Sequence, residues 1–270
     1  MPRPLRVHSK MKGISSILSS TTAPTASANL HAGQTQVFIR DGFDWDGQNT
    51  YLFDIDGTLL RSQDRIHYEA FFTSVKSVMG HELSLEPVVL HGNTDPGILR
   101  DAFQAAKLDD SEWHPALEDV LDVMRAEVLA QREAMQVRVM PGVEETLAHL
   151  HAKGAALGVA TGNLETIGWQ KIEIAGLRHW FTFGGFSDRF QVRADMIGHA
   201  AVIARAVSGA DASVCVVGDT PFDISAAQAH ALPVIAVATG RYSFDELIIH
   251  RPDVCATTLE ALLRQTLRAA

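Results

Sequence analysis

From residue 140 to the C-terminus, short apolar runs alternate with segments of helical spacing, and few architectures accept that order. Pro141-Gly142 opens a helix predicted to run through Lys153, with Gly154 as its stop. A strand over Ala156–Ala160 follows, then a helix over Leu164–Ala175 and a strand over Phe183–Phe186. The helix Ala194–Val207 leads into Ser213–Val217, an unbroken apolar run of the kind found where a parallel sheet is covered on both faces. A further helix, a strand over Pro233–Ala238 and a last helix complete the pattern. Upstream, Tyr51-Leu52-Phe53 reads as another buried strand, ending at Asp54. The expected fold class is α/β: a doubly wound, Rossmann-like parallel sheet that binds ligands at the carboxyl ends of its strands.

Between that first strand and Met140 the period changes. Ile66–Met79, Pro96–Ala106 and Ser111–Met135 all carry helical spacing, with Pro87–Gly92 as a loop and no strand signal among them. The domain reading is therefore a core over 45–64 and 137–270, with a helical unit inserted over 65–136. Residues 1–44 read as a disordered extension. Met1 to Arg40 has basic but no acidic side chains, a composition shared with targeting segments, yet Gly13–Ala28 is too rich in hydroxyls for a secretory core, and Met11 offers a second possible start.

Composition closes off several classes of function. A formal net charge of −9 offers no basic footprint for nucleic acid or an anionic membrane. No apolar stretch approaches the roughly 20 residues of a membrane span. The two cysteines, Cys215 and Cys255, lie in apolar runs and read as buried free thiols of a reducing, cytoplasmic setting.

The chemistry sits at the strand ends. Asp54 and Asp56 lie in Phe-Asp-Ile-Asp-Gly-Thr, and Asp219 and Asp223 in Gly-Asp-Thr-Pro-Phe-Asp. If both strands are central and parallel, four carboxylates converge on one sheet edge, where mutual repulsion calls for a hard divalent cation. Mg2+ suits such a site, since it accepts a few carboxylates together with water and phosphate oxygens.

Three segments carry a family resemblance. Asp54-Ile-Asp-Gly-Thr-Leu resembles the first motif of the haloacid dehalogenase (HAD) superfamily, Val159-Ala-Thr-Gly-Asn its second, and Val217-Gly-Asp-Thr-Pro-Phe-Asp its fourth. The helical insert falls where that superfamily's type 1 caps fall. The resemblance implies a magnesium-dependent phosphomonoester hydrolase, similar to phosphoglycolate phosphatases, acting on a small phosphorylated metabolite as a monomer or homodimer. In that scheme Asp54 is the nucleophile and forms an aspartyl phosphate, while Asp56 serves as general acid and then base. The metal is held by a carboxylate oxygen of Asp54, the backbone carbonyl of Asp56, and Asp219, with Asp223 in support. Thr161 and nearby amides cradle the transferring phosphoryl group, and Thr58, Gly162 and Asn163 are further candidate substrate contacts. A phosphomutase similar to β-phosphoglucomutase needs the same nucleophile and acid and is the rival enzyme. A catalytically silent binding protein would have damaged motifs.

The third motif of the superfamily supplies a basic residue, usually Lys, and the segment after Phe183-Gly-Gly-Phe contains none. Arg193, at the start of a predicted helix, is the expected replacement, with Arg189 as its rival. His67 is either a catalytic or a hinge histidine. Thr94 and Asp95 either contact the leaving group or cap the helix that begins at Pro96.

Overall fold

The computed structural model describes residues 35–269, and residues 1–34 lie outside it. Its elements in chain order are β1 (Val37–Ile39), β2 (Thr50–Phe53), β3 (Leu60–Ser62), α1 (Ile66–Met79), α2 (Asp95–Ala105), α3 (Asp110–Ala130), β4 (Val137–Val139), α4 (Val143–Ala152) and β5 (Ala156–Ala160). The chain continues with α5 (Glu165–Ile174), β6 (Phe183–Gly185), α6 (Arg193–Ser208), β7 (Val214–Gly218), α7 (Pro221–Ala229), β8 (Val234–Val237), α8 (Phe244–Ile248), β9 (Val254–Ala256) and α9 (Leu259–Ala269).

The main sheet has seven strands in the order β1-β9-β8-β7-β2-β5-β6, and all neighbours are parallel except the β1–β9 pair. Side chains of alternate residues leave opposite faces of a strand. Along β2, Tyr51 and Phe53 therefore pack on one side with Leu147, Leu150 and Leu262 of α4 and α9. Leu52 packs on the other with Met196, Ala200 and Ile224 of α6 and α7. Helices thus cover both faces, which explains why β2 and β7 are buried along their whole length.

Strand order positions the site. From β2 the chain steps outward through β5 to β6, then crosses back so that β7 lies on the other flank of β2. Diverging connections on either side of one strand open a crevice at its carboxyl end. In register, Phe53 faces both Val159 and Val217, so Asp54, Thr161 and Asp219 emerge side by side.

Two sequence expectations need correction. Ordered structure does not wait for Asp44: Val37–Ile39 forms an edge strand on β9, and Arg40 pairs with Asp253 at 2.8 Å. The end of the chain holds two helices, α8 and α9, with β9 between them, where a single last helix was expected, and beside the insert Leu60 faces Val139 and Ser62 faces Val137 in an antiparallel pair. This ribbon sits where the chain leaves for α1–α3 and where it returns. The three helices share an apolar cluster that includes Phe71, Leu99, Phe103, Trp113 and Met124, and Leu164 and Ile167 of the sheet-flanking segment join it. Residues 35–269 belong to one compact unit.

Candidate active site

Asp54 leaves the end of β2 with its amide donating to the carbonyl of Val217 at 2.9 Å. Three residues later, Gly57 takes φ +93°, a left-handed conformation that glycine adopts without penalty. A Cβ there would also collide with the Asp219 carboxylate. This turn directs Asp54 and Asp56 into different surroundings.

Asp54, Asp219 and Asp223 are all buried, and each offers an oxygen within 4.8 Å of the others. Burial raises the Asp54 carboxyl to about 6, with Arg193 opposing the rise and Asp223 adding to it. Burial also pushes Asp219 well above the usual carboxylate range, and Asp54 and Asp223 push it further. A set of hard oxygen donors that repel one another is relieved by a dication, and magnesium accepts such ligands. Thr58 is not turned to a substrate: its hydroxyl donates to Asp219 Oδ1 at 3.1 Å and is fully buried.

Arg193 is the first residue of α6 and reaches the triad. Its Nη2 lies 2.9 Å from Asp54 Oδ1 and 2.5 Å from Asp223 Oδ1, while Nε donates to the same Asp223 oxygen at 3.1 Å. Burial opposes its charge, but the two carboxylates outweigh that and keep the guanidinium protonated. The other oxygen of Asp223 accepts from the amide and hydroxyl of Thr220 in a capping box at the start of α7. Asp223 thus holds Arg193 from behind the cavity. Arg189 is exposed and does not reach these carboxylates.

Asp56 belongs to a second cluster. Its Oδ2 accepts from Lys171 Nζ at 2.7 Å and from Asn163 Nδ2 at 2.8 Å, whereas Oδ1 has only the Ser62 hydroxyl at 3.4 Å. Burial would raise this carboxyl, but Lys171 together with Asn163 outweighs it and holds the value below the ordinary range. Asn163, expected at the substrate, therefore braces Asp56 and also donates to Thr161 Oγ1 at 2.7 Å. Gly162 is required by crowding, because a Cβ would strike the Asn93 carbonyl.

Lys171 is the site residue the sequence reading missed. It lies on α5 and is 2% exposed. The available signal was its place four residues after Ile167 and next to Ile172, both fully buried, so that it occupies an inward position of the helix.

The insert contributes its own groups. His67 on α1 meets Asp95 Oδ2 through Nε2 at 3.1 Å and Lys171 through Nδ1 at 3.1 Å. Asp95 also accepts from the Leu164 amide at 2.9 Å. Thr94 is the N-cap of α2, its hydroxyl accepting from the Gly97 amide at 3.0 Å, so the capping alternative holds for this residue. Asp54, Asp56, His67, Asp95, Thr161, Gly162, Asn163, Lys171, Arg193 and Asp219 all line one cavity of about 230 Å³, whereas Thr58, Thr94 and Asp223 do not.

A crevice at the carboxyl ends of parallel strands is where α/β sheets of this kind bind their ligands, and here it is lined with acidic residues. Residues 51–237 match the haloacid dehalogenase-like hydrolase family, and the chain belongs to it. Among its relatives are the probable phosphatase IndB of Dickeya dadantii, 29% identical over 78% of this chain and 90% of that protein, and a phosphoglycolate phosphatase of Mesorhizobium japonicum, 28% identical over 70% and 82%. A predicted phosphatase from Clostridium acetobutylicum has the same fold, with a TM-score of 0.60 at 21% identity over 82% of this chain and 99% of that one. No helix among the described residues is long and apolar enough to cross a membrane.

Proposed function

We propose that this hydrolase is a magnesium-dependent phosphatase that cleaves a small phosphomonoester through an aspartyl phosphate on Asp54. The observation that carries this reading is the division of labour between two carboxylates two residues apart. Asp54 is buried beside Arg193 and the acidic triad, while Asp56 keeps its Oδ1 open to the same cavity.

Asp54, Asp219 and Asp223 are the groups that would hold Mg2+, together with the backbone carbonyl of Asp56 as the family resemblance implies. When bound, the metal supplies positive charge that offsets the repulsion between nucleophile and phosphate. Arg193 adds a fixed charge on the Asp54 side of the cavity. Attack by an Asp54 oxygen on phosphorus forms the aspartyl phosphate as the bond to the leaving oxygen breaks, and Asp56 hands that oxygen a proton. Lys171 and Asn163 favour the carboxylate form of Asp56, and a phosphomonoester monoanion can bring the proton that Asp56 passes on. In the second displacement Asp56 takes a proton from the attacking water and inorganic phosphate leaves. Thr161, Gly162 and Asn163, just ahead of α5, line the cavity where the phosphoryl oxygens would lie. The relatives named phosphoglycolate phosphatase favour a small anionic metabolite, which a cavity of about 230 Å³ accommodates.

Phosphate release from sugar phosphates, nucleotides and phosphoglycolate, with and without magnesium, tests the class. Asp54→Asn should abolish turnover in a folded protein because it removes the nucleophile and keeps the shape. Phosphatase activity near the parental level in that variant would sink the covalent scheme.

A further inference from the structure

We infer that Lys171 is a positioning residue for the acid–base carboxylate, fixing Asp56 by one oxygen so that the other faces the leaving group; this inference rests on the phosphatase reading above. The first support is how completely the lysine is committed. Its side chain is 3% exposed, and its ammonium meets three acceptors: Asp56 Oδ2 at 2.7 Å, Asn163 Oδ1 at 2.7 Å and His67 Nδ1 at 3.1 Å. An ammonium has three donors, so this set is filled and none is left over for substrate. A lysine that served as a substrate anchor would keep a donor open to the cavity.

The second support is the asymmetry at Asp56. Oδ2 receives two strong donors, from Lys171 and Asn163, and Oδ1 receives one long contact from a serine hydroxyl that can rotate away. Only Oδ1 is therefore free to carry the transferring proton. In the first displacement the Oδ1–H bond breaks, the proton passes to the departing ester oxygen, and that oxygen gives up its bond to phosphorus. Holding the donor oxygen in place before reaction is what makes such a transfer efficient.

The third support is the origin of the scaffold. An ammonium donates and cannot accept, so His67 must present a bare Nδ1 to Lys171 and carry its proton on Nε2, toward Asp95 Oδ2. Asp95 is tied in turn to the Leu164 amide, and its own amide donates to the Gly162 carbonyl. Residues of α1, α2, α5 and the loop after β2 thus form one continuous chain of hydrogen bonds ending on Asp56. The inserted helices contribute through it to the placement of a carboxylate they do not touch.

Leaving-group dependence separates positioning of the acid from a purely structural role. An alkyl phosphomonoester such as glycerol 2-phosphate needs its leaving oxygen protonated, whereas p-nitrophenyl phosphate departs as a stable phenolate. In Lys171→Met we expect kcat to fall roughly 10²-fold or more for the alkyl ester, the usual share of general acid catalysis, and far less for the aryl ester, with little change in KM. Lys171→Arg should lie between variant and parent for the alkyl ester. Circular dichroism and thermal melting identify which variants fold. An alkyl-to-aryl ratio of kcat that stays parental in every folded variant overturns the inference, and so does a loss confined to KM, which would make Lys171 a substrate contact. Failure of the parent to hydrolyse either ester would instead refute the phosphatase reading, and this inference with it.

Discussion

At the scale of single residues the site is two acids, each held by its own buried cation: Asp54 by Arg193 and Asp56 by Lys171. Arg193→Ala would leave Asp54 and Asp223 as like charges without their shared counterion. Removing one partner of a buried ion pair costs about 3 kcal/mol or more, so urea unfolding should show a loss of that order. The folded fraction should lose roughly 10²-fold in kcat/KM, comparable to deleting one preorganised charge contact. Arg193→Lys should recover part of both, because a point charge restores the electrostatics without the two-pronged grip on Asp223. Parental kinetics in Arg193→Ala would remove this residue from the mechanism. Arg193 could be read from sequence because a basic residue is expected at the start of that helix. Lys171 could not, because a lysine in a helix is ordinarily a solvated side chain, and only the approach of Asp56, Asn163 and His67 from three other segments makes it a buried one.

At the scale of elements, local chemistry set most of the boundaries. Ile66–Met79 and Ala156–Ala160 follow the predicted limits, and most other helices differ by a residue or two, as capping and fraying allow, whereas α3 stops at Ala130, short of the predicted Met135. The strands that escaped notice, β1, β3, β4 and β9, are three residues each, too short to display a period of two, and each exists because a distant partner supplies its hydrogen bonds. Thr94 illustrates how an element can claim a residue that looked functional. Its hydroxyl satisfies an amide at the start of α2 that would otherwise be left without a partner. Thr94→Ala should therefore lower stability by about 1 kcal/mol, measured by chemical denaturation, with kcat/KM changing little. A large kinetic loss with unchanged stability would return Thr94 to the substrate.

At the scale of the whole molecule, the acidic triad couples folding to pH and metal. Asp54 rises from 3.8 to about 6 on folding through burial, and burial raises Asp219 well above its ordinary range too, so the folded state keeps protons that the unfolded chain has already lost. The contribution of Asp54 is complete below pH 3.8 and is lost as pH rises through about 6. Asp56 is shifted the other way and loses its contribution only in more acid solution. Metal-free protein should accordingly melt at a lower temperature at pH 8 than at pH 5, and magnesium should raise the Tm more at pH 8. A magnesium effect equal at both pH values, or none, would show that the triad is not where the metal binds.

The sequence by itself determined the alternation of apolar strands and amphipathic helices, and with it the parallel sheet and the placing of Asp54, Thr161 and Asp219 at its carboxyl edge, because these follow from short-range periodicity and from motifs contiguous in the chain. Only the tertiary structure decided which polar groups neutralise one another. Asn163 and Lys171 brace Asp56, Thr58 turns to Asp219, Asp223 steadies Arg193, and His67 links the inserted helices to the sheet. The physical reason is that a polar side chain taken out of water must find a partner, and the partner available here comes from another segment, brought within 3 Å or so by packing that no local window of sequence contains.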